Sequence, residues 1–427
     1  MSIGIFLMIC LVVFLFVGLP IAFALGLTAV SYFFYTDNLR YLIVLAQRTF
    51  NGINSFELIA IPLFILAGDL MYEGKISQAL VNLAKSLAGS IRGSMAIIAT
   101  LACMFFGAVS GSGPATTSAL SSVMAKGMKE DGYPPVFSAC SVAASGPLGA
   151  LIPPSITMVV YGVTTNTSVG ELLLAGVWPG IVFGLCLMLY EFYICKKHKY
   201  GTVTPFSFKA LTKNFIVSIP SFLTPVIILG GIYSGIFTPT EAGGIAVFYA
   251  LLVGLFVNRS IKIKDLPRIL LASGVTAATI IIIMANVSCL SFVLDRERIP
   301  EQLAAMAVQN LSAPWQFLLV VNIIYIFAGM IENGSSAIVM LAPILHPIAL
   351  KFGIDPVFFG AMTVANLAIG MVTPPMAASL YVAGRIFDVE IPDMIKGILP
   401  FLGVMLFGLF IVCITAPMVT YLPERLL

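Results

Sequence analysis

Gly149-Ala150-Leu151-Ile152-Pro153-Pro154 stands inside the apolar run Val136 to Gly162, and Gly370-Met371-Val372-Thr373-Pro374-Pro375 stands 221 residues later inside the run Val357 to Gly384. A double proline removes backbone donors and unwinds a helix locally, so each run reads as a helix broken midway. The same register carries Pro135-Val136-Phe137 onto Pro356-Val357-Phe358 and Pro179 onto Pro400. Upstream, Phe105-Phe106-Gly107 aligns with Phe327-Ala328-Gly329 at an offset of 222, and Lys75-Ile76 with Arg298-Ile299 at 223. Shared order and register mark an internal repeat.

Two more apolar regions are interrupted where a spanning helix would not tolerate it. Ser94 to Met128 is broken by Ser110-Gly111-Ser112-Gly113-Pro114, and Trp315 to Leu350 by Glu332-Asn333-Gly334-Ser335-Ser336. Both read as re-entrant hairpins, since irregular backbone at membrane depth survives only where protein buries it or a cavity solvates it. An odd number of crossings between equivalent points makes the two halves inverted. Inverted repeats with paired broken helices are the sequence mark of a secondary transporter, whose substrate and ion sites lie near the bilayer midplane.

The composition around these breaks is that of a bilayer protein. Of 427 residues 59% are hydrophobic and 10% charged, whereas a soluble domain carries roughly a quarter charged residues. A net charge of +3 offers nothing to a nucleic acid. The apolar runs are long and do not alternate, so the chain is predicted to be an all-α integral membrane protein rather than a barrel. Full spans are expected at Ile3 to Tyr35 (one long tilted helix, or two bent at Gly18-Leu19-Pro20), Leu58 to Tyr72, Leu172 to Cys195, Phe215 to Tyr233, Ala242 to Val257, Ile269 to Leu294 and Ile398 to Tyr421. Met1 to Gly26 has no basic residue before its apolar run and reads as a retained span rather than a secretory signal. Lys196, Lys197, Lys199, Lys209 and Lys213 form one basic loop, and Arg259, Lys262, Lys264 and Arg268 another two spans later, so that side is cytoplasmic.

Seven scattered cysteines with no C-x-x-C spacing, and only two histidines, leave little material for a disulfide framework, a transition-metal site or a catalytic triad. No phosphate loop of the ATP-driven pumps is present. An interrupted helix instead offers free N–H groups at one half-helix end and free carbonyls at the other. The tip Ser110 to Ser118, with Ser112 and Thr116 among its hydroxyls, suits an anion or polar substrate. The carbonyls of Gly149 and Ile152, and of Gly370 and Thr373, lose their donors to the prolines and suit sodium, closed by Gly107 and Ser110 in one half and Gly329 and Asn333 in the other. Arg296 is a candidate contact for an anionic substrate. Glu241, behind Thr238-Pro239-Thr240, reads first as a helix cap. Asp69, Arg92, Glu191, Asp295, Arg298 and Arg385 lie near apolar runs, where an ionisable side chain marks either the interface or a function.

Ser110-Gly111-Ser112-Gly113-Pro114-Ala115-Thr116-Thr117, Gly149 to Ser155, Gly235-Ile236-Phe237-Thr238-Pro239-Thr240-Glu241-Ala242 and Gly370 to Pro375 together resemble the large membrane subunit of tripartite ATP-independent periplasmic (TRAP) transporters, over nearly the whole chain. The resemblance implies a sodium-driven elevator in a bacterial inner membrane that moves an organic acid such as a C4-dicarboxylate or sialic acid. It implies two sodium sites, one at Gly107, Ser110, Gly149 and Ile152, the other at Gly329, Gly370, Thr373 and Met376, where Met376 could serve only by its carbonyl. Substrate contacts fall on Ser110, Ser112, Thr116, Arg296 and Asn333. The second tip lacks the Ser-Gly-Ser-Gly of the first, so the two tips are expected to contribute unequally. The transport domain is expected at 58–168 and 269–388, and the scaffold at 1–57, 169–268 and 389–427. Implied partners are a periplasmic substrate-binding protein and a small membrane subunit, expected as a separate chain because few residues precede Ile3 and Leu427 soon follows the last span. A stand-alone sodium/carboxylate transporter is the alternative, with an intramembrane enzyme or a channel as the remaining classes.

Overall fold

A computed structural model describes the chain apart from residues 1, 2, 75, 76, 92, 203, 204, 206, 312 and 427. The match of Lys75-Ile76 to Arg298-Ile299, and the candidate Arg92, lie outside the described residues. All regular structure among the described residues is helical.

The first apolar run is neither one helix nor a gentle bend. Helices α1 (Ile3–Phe16) and α2 (Ile21–Tyr35) are separated by Gly18 at φ +87°, and Phe6 stacks on Tyr35 with ring centroids 4.3 Å apart. The start of one helix thus meets the end of the other, and the chain turns back on itself. Helices α3 (Leu42–Asn51) and α4 (Ala60–Glu73) follow, bent by 53° when the short turns before them are included, then α5 (Ser77–Ala88).

The first hairpin is α6 (Ser94–Ser110) and α7 (Gly113–Glu130). Gly111, at φ +63°, ends α6 by donating its N–H to the Gly107 carbonyl at 2.9 Å, a conformation glycine adopts without steric cost. The first broken helix is α8 (Pro135–Ser145), a tight turn over Gly146–Ala150, and α9 (Ile156–Thr165). Beyond it run α10 (Val169–Ala175), α11 (Val177–His198), α12 (Phe208–Tyr233), α13 (Pro239–Leu252) and α14 (Leu266–Arg296). Thr238 and Glu241 open α13 with a reciprocal capping box, the role read for Glu241 from the sequence. After α15 (Ile299–Asn310) comes the second hairpin, α16 (Pro314–Ile331) and α17 (Gly334–Lys351). The second broken helix is α18 (Pro356–Gly370) and α19 (Ala378–Phe387), followed by α20 (Ile391–Ile414) and α21 (Ala416–Leu426).

Seven helices among the described residues are long and apolar enough to cross a membrane. They include both arms of the second hairpin, which length alone would count as two spans; their packing on the second break makes them a hairpin. By contrast α8, α9 and α19 have 11, 10 and 10 residues, too few to cross about 30 Å at roughly 1.5 Å per residue.

The two halves are inverted. Asp131, at the base of the first hairpin, accepts from the N–H of Thr202, within the basic loop after α11, at 3.1 Å. Arg268, in the second basic segment, pairs with Glu73 at 2.9 Å. From there the 31 residues of α14 cover roughly 46 Å, which puts Arg296, α15 and the base of the second hairpin on the opposite face. The arms are exchanged between halves: α7 packs on α19 and α17 packs on α9, while α6 lies on the first break and α16 on α18.

α11 and α20 pack on each other and on the hairpins and broken helices, whereas α4 packs chiefly on α13, and α14 on α2, α3 and α4. Helices α10, α11 and α20 thus lie against the hairpins and broken helices, while α4 and α14 lie against each other and against α2, α3 and α13. The reason is the repeat itself, since α10–α11 and α20 directly continue the two broken helices.

Candidate functional site

Each hairpin meets its break through a pair of glycines. A Cβ placed on Gly107 would lie 2.6 Å from Gly149 Cα, and one on Gly370 would lie 2.6 Å from Gly329 Cα. No real Cβ occupies such a distance, so only glycine lets the backbones approach this closely. The sequence paired these four residues, and the structure brings them together.

Hydroxyls gather at the first seam. A Cβ on Gly149 would meet Thr116 Oγ1 at 2.3 Å and the Ser112 carbonyl at 2.8 Å. Ser110 Oγ lies 2.7 Å from Thr116 Oγ1 and 3.4 Å from the Ser112 carbonyl. Ser110 and Thr116 are buried. Thr116, read as a substrate contact, thus sits beside Ser110 and Gly149, among the residues read as cation ligands. The Ile152 N–H bonds the Leu148 carbonyl at 2.9 Å, while the Ile156 N–H reaches the hairpin at the Gly111 carbonyl, 3.3 Å away. Ser155 closes the break from its far side. Its hydroxyl donates to the Ala150 carbonyl at 2.5 Å and accepts from the Met158 N–H at 3.2 Å.

The second seam is built by other means. Thr373 Oγ1 donates to the Ile369 carbonyl at 2.7 Å, which leaves its own lone pairs free to accept a cation. The Met376 N–H donates to the Met330 carbonyl at 3.1 Å and ties break to hairpin. The Met376 side chain is 61% exposed, so only its backbone could take part. Met376 stands where Ser155 stands in the first half, and the bridging hydroxyl is supplied instead by Tyr381, which donates to the Pro375 carbonyl. Ser379, buried with its hydroxyl unpartnered and its N–H on the Met371 carbonyl at 3.0 Å, is a candidate ligand the sequence reading missed. Nothing in the pattern marks it, because the chain folds it back only after the break.

The two tips converge on Met371. Its Sδ lies 2.8 Å from a Cβ placed on Gly113 and its Cε 3.0 Å from one placed on Gly334. Ser112 and Asn333 stand just before the helices that leave the tips; the Ser112 side chain makes no capping bond, whereas Asn333 Oδ1 accepts from the Ser335 N–H at 3.3 Å. Asn333 is exposed, while Ser335 and Ser336 behind it are buried. Arg296 does not join them. At the last turn of α14 its guanidinium lies 4.1 Å over the Tyr41 ring, on the face where the second hairpin has its base. Asp69 accepts from Ser273 Oγ at 2.5 Å, and Asp295, Arg298 and Arg385 are exposed.

Two cavities, of about 460 and 480 Å³, lie on the same face as Arg296. One is walled by Ser288, Ser291 and Asp295 of α14 against His346 of α17 and Thr165 of α9; the other lies between Phe56, Thr238 and Thr167.

Comparison with known proteins agrees with this architecture. The family model described as "Tripartite ATP-independent periplasmic transporter, DctM component" matches residues 8–418. The chain is 41% identical over 379 residues to the C4-dicarboxylate TRAP transporter large permease protein DctM of Pseudomonas aeruginosa, covering 89% of this chain and 87% of that one. It is 36% identical over 413 residues to the sialic acid TRAP transporter large permease protein SiaM of Vibrio cholerae, covering 97% and 96%. Among solved structures the YdaH transporter of Alcanivorax borkumensis shares the fold, with a TM-score of 0.61 over 90% of this chain and 88% of that one at 16% identity. A full-length family match and relatives named as permeases make this multi-pass membrane protein a transporter rather than an enzyme, and the chain belongs to the TRAP transporter family as its large membrane component.

Proposed function

We propose that the chain performs sodium-coupled secondary-active uptake of a small organic acid across a bacterial inner membrane. The observation that carries this reading is the paired seam, Gly107 on Gly149 and Gly329 on Gly370, where two broken helices bring oxygen donors against two hairpins. Carbonyls and hydroxyls with no paired titratable group other than Glu332 at the second tip suit a hard monovalent cation better than a proton. Sodium at the two seams is cargo that co-travels with the substrate. It is bound by Gly107, Ser110, Gly149, Ile152 and Thr116 at one seam, and by Gly329, Gly370, Thr373, Met376 and Ser379 at the other.

The substrate carboxylate binds between the tips, at Ser110, Ser112 and Asn333, where α7 and α17 start and their free N–H groups point. Relatives named for C4-dicarboxylates and for sialic acid support an organic acid of one of those two classes. The moving body consists of the hairpins, the broken helices, α10, α11 and α20; it slides as an elevator against α1 to α4 and α12 to α14. A periplasmic binding protein delivers the acid, and a separate small membrane subunit braces the fixed helices.

The test is uptake of labelled organic acids into proteoliposomes holding the chain and its small subunit. Sodium gradient and binding protein are each supplied or withheld. Uptake that requires both supports the reading. Sodium-driven uptake without a binding protein would make the chain a stand-alone transporter, and uptake indifferent to sodium would sink the coupling.

A further inference from the structure

Glu191 lies two-thirds of the way along α11, before the last-turn Lys196, Lys197 and His198, fully buried and with no described lysine, arginine or histidine bonded to it. Its partners are hydroxyls from two other helices. Ser141 Oγ of α8 lies 2.6 Å from Oε1, and Thr100 Oγ1 of α6 straddles the carboxyl, 2.8 Å from Oε2 and 3.0 Å from Oε1. Thr100 Oγ1 is also 2.7 Å from Ser145 Oγ, and Ser145 Oγ donates to the Ser141 carbonyl at 2.9 Å. With the two Thr100–carboxyl contacts taken as one link, four links form a closed ring.

Counting hydrogens decides the state of the carboxyl. Each hydroxyl brings one, so Thr100, Ser141 and Ser145 supply three hydrogens for four links, the forked Thr100–carboxyl pair counting as one. An ionised Glu191 leaves one contact as two bare oxygens at 2.7 or 2.9 Å. A protonated Glu191 completes the ring: Oε2–H donates to Thr100, Thr100 to Ser145, Ser145 to the Ser141 carbonyl, and Ser141 to Oε1. Membrane burial without a cation favours the same form, because an uncompensated carboxylate there is costly.

The ring stands in a telling place. Thr100 and Ser145 are the counterparts of Asn322 and Asn366 at the offsets of 222 and 221, and those two also bond, at 2.7 Å. Each half therefore pins the first hairpin arm to its broken helix one turn behind Gly149 or Gly370. Only the first half adds an acid: the counterpart of Glu191 is Val412, also buried.

We infer that Glu191 is a proton-binding site, held as a neutral acid, and that it positions α6 against α8 directly behind the first glycine seam. This deepens the sodium reading and rests on it for the effect on the cation. The titratable groups nearest the ring are Cys103 on α6, Cys140 on α8, Tyr133 before α8, and Tyr190 and Cys195 on α11 itself, none of them cationic. The ionisable residues of the packed helices α10, α20 and α21 stand near their ends: Glu171 half-buried, and Asp393, Lys396, Glu424 and Arg425 exposed.

Infrared difference spectra of the membrane complex in lipid, wild type against Glu191→Gln and without sodium, test the proton. The expected result is the carbonyl stretch of a protonated carboxylic acid that vanishes in the variant. Uptake tests the positioning. Glu191→Leu, which strips the ring of donor and acceptor, is expected to raise the half-saturating sodium concentration about ten-fold, the equivalent of about 1.4 kcal/mol. Glu191→Gln, which keeps one donor and one acceptor, restores it. A carboxylate signature, with Glu191→Gln as impaired as Glu191→Leu, overturns the proposal in favour of a buried anion holding a cation. An acid band with unchanged sodium dependence in Glu191→Leu overturns the positioning role. Sodium-independent uptake in the wild type defeats the coupling reading alone, since the spectra need no sodium.

Discussion

At the scale of single residues, the seams separate glycines that geometry requires from those it does not. Gly149→Ala forces a methyl to within 2.3 Å of Thr116 Oγ1, and Gly370→Ala to within 2.6 Å of Gly329 backbone. Overpacking of this kind costs about 1–3 kcal/mol. Each variant is expected to lose sodium-driven uptake by about ten-fold or more, while Gly403→Ala, with open space around it, leaves uptake unchanged. Thr373→Val keeps the shape of the side chain but removes the oxygen that donates to Ile369 at 2.7 Å. It is expected to raise the sodium concentration for half-maximal uptake by about ten-fold, and an unaltered sodium dependence would leave only the Thr373 carbonyl as a ligand. These positions were legible in the sequence because glycine and proline announce backbone geometry locally. Ser379 and the Thr100–Ser141–Ser145–Glu191 ring were not, since their meaning comes from what three or more distant segments place beside them.

At the scale of elements, the breaks are stabilised asymmetrically. The first is bridged by Ser155, whose hydroxyl both caps α9 and reaches back to Ala150; the second relies on Tyr381 and on the Met376 N–H. Ser155→Ala is therefore expected to lower stability by about 1 kcal/mol. Hydrogen exchange in lipid should rise at 150–158 and stay unchanged at the second break; equal exchange at both breaks would show that the hydroxyl does not hold the first. The broken helices and hairpins were readable because an apolar run cannot carry two prolines or a polar tip and remain one span. The reversal between α1 and α2 was less readable. Gly18 and Pro20 permit either a kink or a full turn, and the stacking of Phe6 on Tyr35 is a tertiary contact that selects the turn.

At the scale of the whole molecule, an elevator needs a contact between its two bodies that forms in one state and parts in the other, and Gly68 marks such a contact. A Cβ on Gly68 of α4 would lie 2.6 Å from the Ser110 carbonyl at the tip of the first hairpin, so the absence of a side chain lets the hairpin tip dock on α4. Gly68→Ala penalises this docked state by about 1–3 kcal/mol of overpacking and leaves a state without the contact untouched. A penalty of about 1.4 kcal/mol changes the ratio of the two states ten-fold. The cavity of about 460 Å³ between α14 and α17 reports the population, because Ser291 lines it from α14 and faces α9 and α17, which the proposed motion would carry past α14. With Ser291→Cys as the reporter, a membrane-impermeant maleimide added from the periplasmic face is expected to label the Gly68→Ala background several-fold more slowly than the parent. Chains carrying only the native cysteines supply the baseline. Equal labelling rates, with folding intact, would mean that the bodies do not separate at α4, and the boundary of the moving unit would then have to be drawn elsewhere.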